Sequence, residues 1–177
     1  MTHDEEFWRE WLEEHKEFIT YNQDGSIDVD GNVNISCSGI FTIIPEFNIV
    51  NGYFICSDNY LTSLKNSPKM VYGYFDCGYN KLSNLKYLPT ISFNEEDWFD
   101  YESNLYINNN PLQSFEGLDI DKSYGDIYIE NYRNNVDKNI IKAIQNNDTK
   151  WLLLNNKNYK LNGYNFISKY LKGDLFK

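Results

Sequence analysis

A period of 21 residues runs through the middle of this chain and leaves few folds open to it. Asn51 to Leu64 reads Asn-Gly-Tyr-Phe-Ile-Cys-Ser-Asp-Asn-Tyr-Leu-Thr-Ser-Leu, and Tyr72 to Leu85 reads Tyr-Gly-Tyr-Phe-Asp-Cys-Gly-Tyr-Asn-Lys-Leu-Ser-Asn-Leu. Gly52/Gly73, Phe54/Phe75, Cys56/Cys77, Asn59/Asn80, Leu61/Leu82, Leu64/Leu85 and Pro68/Pro89 are each 21 apart. A fixed period of this size implies stacked coils, each burying its apolar side against its neighbours.

The period extends both ways. Val33, Ile35, Ile40 and Ile43 lie 21 before Phe54, Cys56, Leu61 and Leu64, with Ser38 in the place of Asn59. Leu105, Ile107, Asn110, Leu112, Phe115 and Leu118 lie 30 after Phe75, Cys77, Asn80, Leu82, Leu85 and Leu88. The extra residues fall within an insertion at 92–103, which holds Glu95, Glu96, Asp97, Trp98, Phe99, Asp100, Tyr101 and Glu102. A last strand is expected at Ile127 and Ile129, with Tyr132 at the asparagine place. Each coil is expected to contribute one short strand, strands of successive coils pairing in parallel about 4.8 Å apart. Asn59, Asn80 and Asn110 then stack inside as a structural ladder. Their amides satisfy backbone groups freed by the bend after each strand.

The flanks read differently. Thr2-His3-Asp4-Glu5 matches a capping box, and Phe7, Trp8, Trp11, Leu12, His15, Phe18 and Ile19 recur at helical spacing among acidic residues. A helix is expected over about 3–17. It reads either as an acidic recognition helix or, preferred here, as a cap over the open end of the stack, with His15 packing. Thr20 to Ser36 reads as short strands with tight turns. Val136, Ile140, Ile141 and Ile144 predict a helix begun by Asn135 or Asp137. Thr149–Leu154 and Gly163–Leu171 add one or two more, closing the far end. The expected organisation is a single domain: an N-terminal helix and turn over 1–25, repeats over 26–132 and a helical cap over 133–177.

The strand pattern, apolar-x-apolar-x-x-Asn-x-Leu as in Phe54-Ile55-Cys56-Ser57-Asp58-Asn59-Tyr60-Leu61, resembles a leucine-rich repeat. The resemblance covers about residues 26–131. It departs from the family in using Phe and Cys for strand leucines, in lacking the asparagine in the first and last coils, and in the insertion. The expected fold is therefore an α/β, short leucine-rich-repeat-like solenoid with a parallel β-sheet, capped by an N-terminal acidic helix and C-terminal helices. The order of parts also resembles the small leucine-rich-repeat proteins of tailed bacteriophages.

Chemistry is hard to find. No Gly-rich phosphate loop, nucleophile elbow, Cys-x-x-Cys or His-x-x-x-His spacing occurs. His3 and His15 both lie on the N-terminal helix, outside the repeats. The cluster Asp24, Asp28 and Asp30 lacks the spacing and distal glutamate of a calcium loop. Neither an enzyme nor a metal or cofactor is expected. Cys56 and Cys77 occupy equivalent places, about 5 Å apart if the strands pair, near disulfide range. They are expected to remain buried thiols, because the acidic N-terminus lacks a secretory signal and points to a cytoplasmic chain. On that view Asn34-Ile35-Ser36 and Asn147-Asp148-Thr149 are chance glycosylation matches. No apolar run approaches membrane-spanning length, and a net charge of −10 argues against direct binding of nucleic acid or anionic membrane.

What remains is a surface. On a leucine-rich-repeat strand, the residues between buried positions face the concave side. The first column is Asn32, Tyr53, Tyr74, Asn104 and Asp126. The second is Asn34, Ile55, Asp76, Tyr106 and Tyr128; the third is Ser36, Ser57, Gly78, Asn108 and Glu130. Tyr53, Tyr74, Tyr106 and Tyr128 make a diagonal aromatic track beside Ile55 and Asp76. Tyrosine suits protein binding, combining contact area with a hydroxyl at low entropy cost. It also suits plain cross-strand packing. Glu95, Glu96, Asp97, Trp98 and Asp100 form a second partner-binding candidate, or else a flap over the coil edge. The phage resemblance implies a non-enzymatic inhibitor of a host protein, with an antiviral defence component such as a CRISPR effector as one option. The alternatives are an acidic nucleic-acid mimic filling a basic channel, and a virion assembly role.

Overall fold

The structure, a computed structural model, describes residues 1–92, 103–119, 125–129, 138–146 and 148. Helix α1 (His3–Glu14) opens the chain, followed by strands β1 (Ile19–Tyr21), β2 (Ile27–Val29), β3 (Val33–Asn34) and β4 (Phe47–Val50). Then come β5 (Phe54–Ile55), β6 (Met70–Tyr72), β7 (Phe75–Asp76), β8 (Thr90–Ser92), β9 (Leu105–Tyr106), β10 (Ile127–Tyr128) and helix α2 (Lys138–Gln145).

The strands form two five-stranded sheets, β1-β2-β4-β6-β8 and β10-β9-β7-β5-β3. Among the described residues only the β1–β2 hairpin is antiparallel; every other pairing is parallel. From β2 to β9 the chain therefore coils, crossing from one sheet to the other and back in each turn. The expected register holds across the insertion: Val33, Phe54, Phe75, Leu105 and Ile127 pair in line. All five are buried.

The expectation of one strand per coil is incomplete, since most coils carry two. Val29, Val50, Val71 and Ile91 line up as a second buried column. The signal was present in their spacing of 21, 21 and 20 and in their β-branched side chains. They sit in the stretch between the proline and glycine landmarks that define the repeat.

Close approach of coils explains the glycine landmark. A Cβ on Gly52 would lie 2.7 Å from the Gly31 carbonyl oxygen and would also meet Asn32 Oδ1. The bends after β3, β5, β7 and β9 each hold a left-handed residue: Cys37, Asp58, Tyr79 and Asn109 have φ of 52–56°. None is glycine, so each bend carries strain. After Asp58, Tyr79 and Asn109 the next residue is an asparagine that compensates, while Ser38 follows Cys37. Asn80 Nδ2 donates to the carbonyls of Cys56 (2.9 Å), Cys77 (3.1 Å) and Gly78 (3.1 Å), while its Oδ1 accepts from Leu61 N–H at 3.0 Å. Asn59 and Asn110 bond in the same way, each reaching into the preceding coil.

Helix α1 ends three residues earlier than the spacing suggested. The Thr2–Glu5 capping box is present. His15 stacks on Trp11 at 4.5 Å and its Nδ1 lies 2.8 Å from the Trp11 carbonyl oxygen. The chain then tightens into a 3-10 turn over Lys16–Phe18, whose wider rotation per residue takes Phe18 off the apolar stripe, 56% exposed. Trp8 and Trp11 pack edge-on against Phe47. Asp4, which reads as part of the acidic outer face, is instead 7% exposed. It accepts from the N–H groups of Phe41 (3.1 Å) and Thr42 (2.8 Å) and from Thr42 Oγ1 (2.7 Å). A carboxylate thus pins the helix to the first coil.

Helix α2 buries Ile140, Ile141, Ala143 and Ile144, and Gln145 Nε2 donates to the Leu118 carbonyl at 2.8 Å. Its expected N-cap, Val136, Tyr132 and the helices expected over Thr149–Leu154 and Gly163–Leu171 lie outside the described residues. Among the described residues no helix is long and apolar enough to cross a membrane.

Candidate functional site

The outer face of the β3–β10 sheet carries the tyrosines. The two-residue side-chain alternation of a strand that buries Phe54 and Phe75 must turn Tyr53, Ile55 and Tyr74 outward, and all three are half-buried. The four expected tyrosines meet in sequence. Tyr53 and Tyr74 stack at 4.9 Å, Tyr74 meets Tyr106 edge-to-face at 6.0 Å, and Tyr106 stacks on Tyr128 at 4.7 Å. Parallel pairing at the strand spacing brings like positions of adjacent coils into ring contact, and the track shifts from first to second column between Tyr74 and Tyr106.

Around the rings the surface is rich in oxygen acceptors. Asn32 Oδ1 accepts from Tyr53 N–H (3.1 Å) and Asn104 Oδ1 from Asp126 N–H (2.8 Å). Asn104 Nδ2 donates to Tyr106 Oη at 3.3 Å, and Tyr128 Oη donates to Asp126 Oδ2 at 3.4 Å. The asparagines thus join neighbouring coils on this face as the ladder does inside.

Two expectations for this face need correction. Asp76 is not an exposed charge: it is 8% exposed, and its Oδ1 accepts from Gly78 N–H at 2.9 Å. A carboxylate two residues before an amide in a bend folds back on the chain, as aspartates do in turns. The third column is closed rather than open, with Ser57, Gly78 and Asn108 all buried. Asn108 is 0% exposed, and neither its Nδ2 nor its Oδ1 has a hydrogen-bond partner. Sequence spacing placed Asn108 in the column, but nothing in it distinguished a covered position from an open one. Glu95, Glu96, Asp97, Trp98 and Asp100 lie outside the described residues, as does Glu130.

Reactive groups are muted. Cys56 and Cys77 are free and fully buried; burial, with lesser help from the Asp76 charge and, at Cys77, from Cys56, pushes both thiols well above the ordinary range. Neither supplies a thiolate at neutral pH. Cys37 is free and exposed. Among the described residues no group of three His, Cys, Asp or Glu side chains is placed to hold a metal ion. Asp24 binds Ser26 N–H (3.0 Å) and Ser26 Oγ (2.6 Å), and Asp28 binds Asn48 Nδ2 (2.8 Å) and Ile49 N–H (3.0 Å), so both serve local structure.

A second aromatic feature was not legible in the sequence. Phe41 and Tyr60, 19 residues apart and so out of step with the repeat, stack at 5.1 Å on the bend ridge while both remain exposed. Asp4 fixes the backbone beneath Phe41.

Set against known proteins, the chain matches no family model, no curated protein and no solved structure.

Proposed function

We propose that this chain is a non-enzymatic protein-binding module of leucine-rich-repeat type, with α1 as its N-terminal cap. It engages its partner through the outer face bearing Tyr53, Ile55, Tyr74, Tyr106 and Tyr128. The observation that carries this is the continuous ring contact from Tyr53 to Tyr128 across four coils. A pre-stacked tyrosine row offers contact area and hydroxyls with little rotamer entropy left to lose on binding. In the phage setting that the resemblance implies, the partner is a host protein that the module blocks, a component of antiviral defence among them.

The test is affinity capture from host-cell lysate with the full chain and with Tyr74→Ala/Tyr106→Ala. A partner retained by the first, and lost by the second while its circular dichroism is unchanged, supports the reading. Capture that survives the double change, but fails in high salt and on charge reversal at Glu95, Glu96, Asp97 and Asp100, assigns the contact to the acidic insertion instead.

A further inference from the structure

Strand β1 stands at the end of the β1-β2-β4-β6-β8 order and pairs with β2 alone. Just beyond its ends, Asp30 N–H donates to the Phe18 carbonyl at 2.9 Å and Asn22 N–H to the Ser26 carbonyl at 2.8 Å. Hydrogen-bonded positions alternate along an antiparallel pair, so Phe18, Thr20 and Asn22 address β2 while Ile19 and Tyr21 turn their main-chain groups outward. The Ile19 N–H is taken up by the Lys16 carbonyl. The Ile19 carbonyl and the Tyr21 N–H are left facing the open edge.

The side chains leave that edge bare. Exposed edge strands are commonly blunted by a charge or a proline. Ile19-Thr20-Tyr21 has neither, and Thr20 and Tyr21 are exposed. Ile19 and Tyr21 lie opposite the buried Val29 and Ile27, on the core side of the sheet. Ile19 packs partly against the core, but Tyr21 overhangs the edge at 64% exposed.

We propose that β1 is a self-association strand: a second copy of this chain adds its own β1 antiparallel to it, about a two-fold axis at Thr20. The register argues for this occupant. Because the outward groups belong to Ile19 and Tyr21, the pairing that overlaps the whole strand sets Ile19 against Tyr21 of the second copy, and Tyr21 against its Ile19. Each Tyr21 N–H then donates to an Ile19 carbonyl, and each exposed tyrosine ring meets a β-branched neighbour on the same face. Carried past the strand, the same register brings Lys16 toward Asp24 of the second copy, opposite charges on largely exposed side chains. A strand of unrelated sequence gains the main-chain bonds without these matched pairs, whereas a two-fold contact repeats each of them. The tyrosine row lies on the other sheet, so the inference goes beyond the protein-binding reading and does not depend on it.

The test is sedimentation of the full chain from about 10 to 500 µM, a range suited to a small interface. The unaltered chain is expected to move toward twice 21.0 kDa as concentration rises. Tyr21→Pro removes an N–H that β2 does not use, so it should keep the circular dichroism of the unaltered chain and stay monomeric. Tyr21→Val retains the N–H and should still dimerise. In a Cys37→Ser background, Thr20→Cys places two thiols at a close cross-strand pair and should form the interchain disulfide about tenfold faster than Gln23→Cys. A monomer at every concentration, a dimer that persists in Tyr21→Pro, or equal cross-linking at the two cysteine positions overturns the proposal. A monomer whose lysate partner is lost with Tyr21→Pro also overturns it and assigns the edge to a foreign strand. A dimer lost with Tyr74→Ala/Tyr106→Ala but kept in Tyr21→Pro overturns it by moving self-association to the tyrosine row.

Discussion

The inner asparagine ladder and the outer tyrosine track grow from the same short strands, yet they obey different rules. Asn59, Asn80 and Asn110 are chemically identical because each does one backbone job, bridging two coils at a left-handed bend. The outer columns mix Asn, Tyr, Ile and Asp: some of these side chains, such as Asn32 and Asn104, accept from a backbone N–H of the next coil, but no one residue type recurs in every coil. Repetition inside reports on folding. The departure from it outside is where a repeat protein can store specificity.

That contrast can be broken most forcefully from the inside. Asn80→Leu leaves the Leu61 N–H and the carbonyls of Cys56, Cys77 and Gly78 without their amide. A loss on the order of 3 kcal/mol is expected, read as a lower urea midpoint at unchanged slope. Partner capture should persist wherever the variant is still folded.

Asp4→Ala tests whether the first coil depends on its helix in the same way. Removing the carboxylate strands the N–H groups of Phe41 and Thr42, at about 1–3 kcal/mol. The loss should appear as faster hydrogen exchange at those two amides, well beyond any change around Asn110.

On the outside the balance reverses. Tyr74→Ala/Tyr106→Ala removes ring contacts worth about 1 kcal/mol each, so stability falls modestly while binding is lost. If the double change instead costs as much stability as Asn80→Leu, the track is cross-strand packing and the contrast fails.

Much of this was legible in the chain, and the limits are instructive. Phe54, Cys56, Asn59 and Leu61 announce the inward positions because burial and hydrogen bonding restrict each to few residue types. The β1-β2-β4-β6-β8 sheet was legible only at its first two strands: β4, β6 and β8 lie outside the glycine-to-proline motif, and Val50 and Val71 alone look like ordinary buried residues. Asp4 misled because helical spacing assigns a face, not what that face meets. Asp76 misled for the related reason that an outward position can still be roofed by its neighbours.

The smallest effect belongs to the β1–β2 turn. The Ser26 hydroxyl, then the Ser26 N–H, hold Asp24 below the ordinary aspartate value, with Lys69 assisting. A depressed carboxylate contributes stability that is present above its unfolded value and is lost as pH falls through its folded one. Ser26→Ala should move the Asp24 titration back upward by carboxyl NMR, with almost no change in stability at neutral pH.

By itself the sequence determined the coil period, the inward columns, the asparagine ladder and the register carried across the insertion. These follow from side-chain alternation and from backbone groups that must be paired wherever the chain bends. Only the tertiary structure decided that most coils carry a second strand, that Asp4 and Asp76 are buried, that Asn108 is sealed without a partner and that the tyrosine row breaks between Tyr74 and Tyr106. Such outcomes depend on what neighbouring coils place overhead, and spacing along one chain does not encode that.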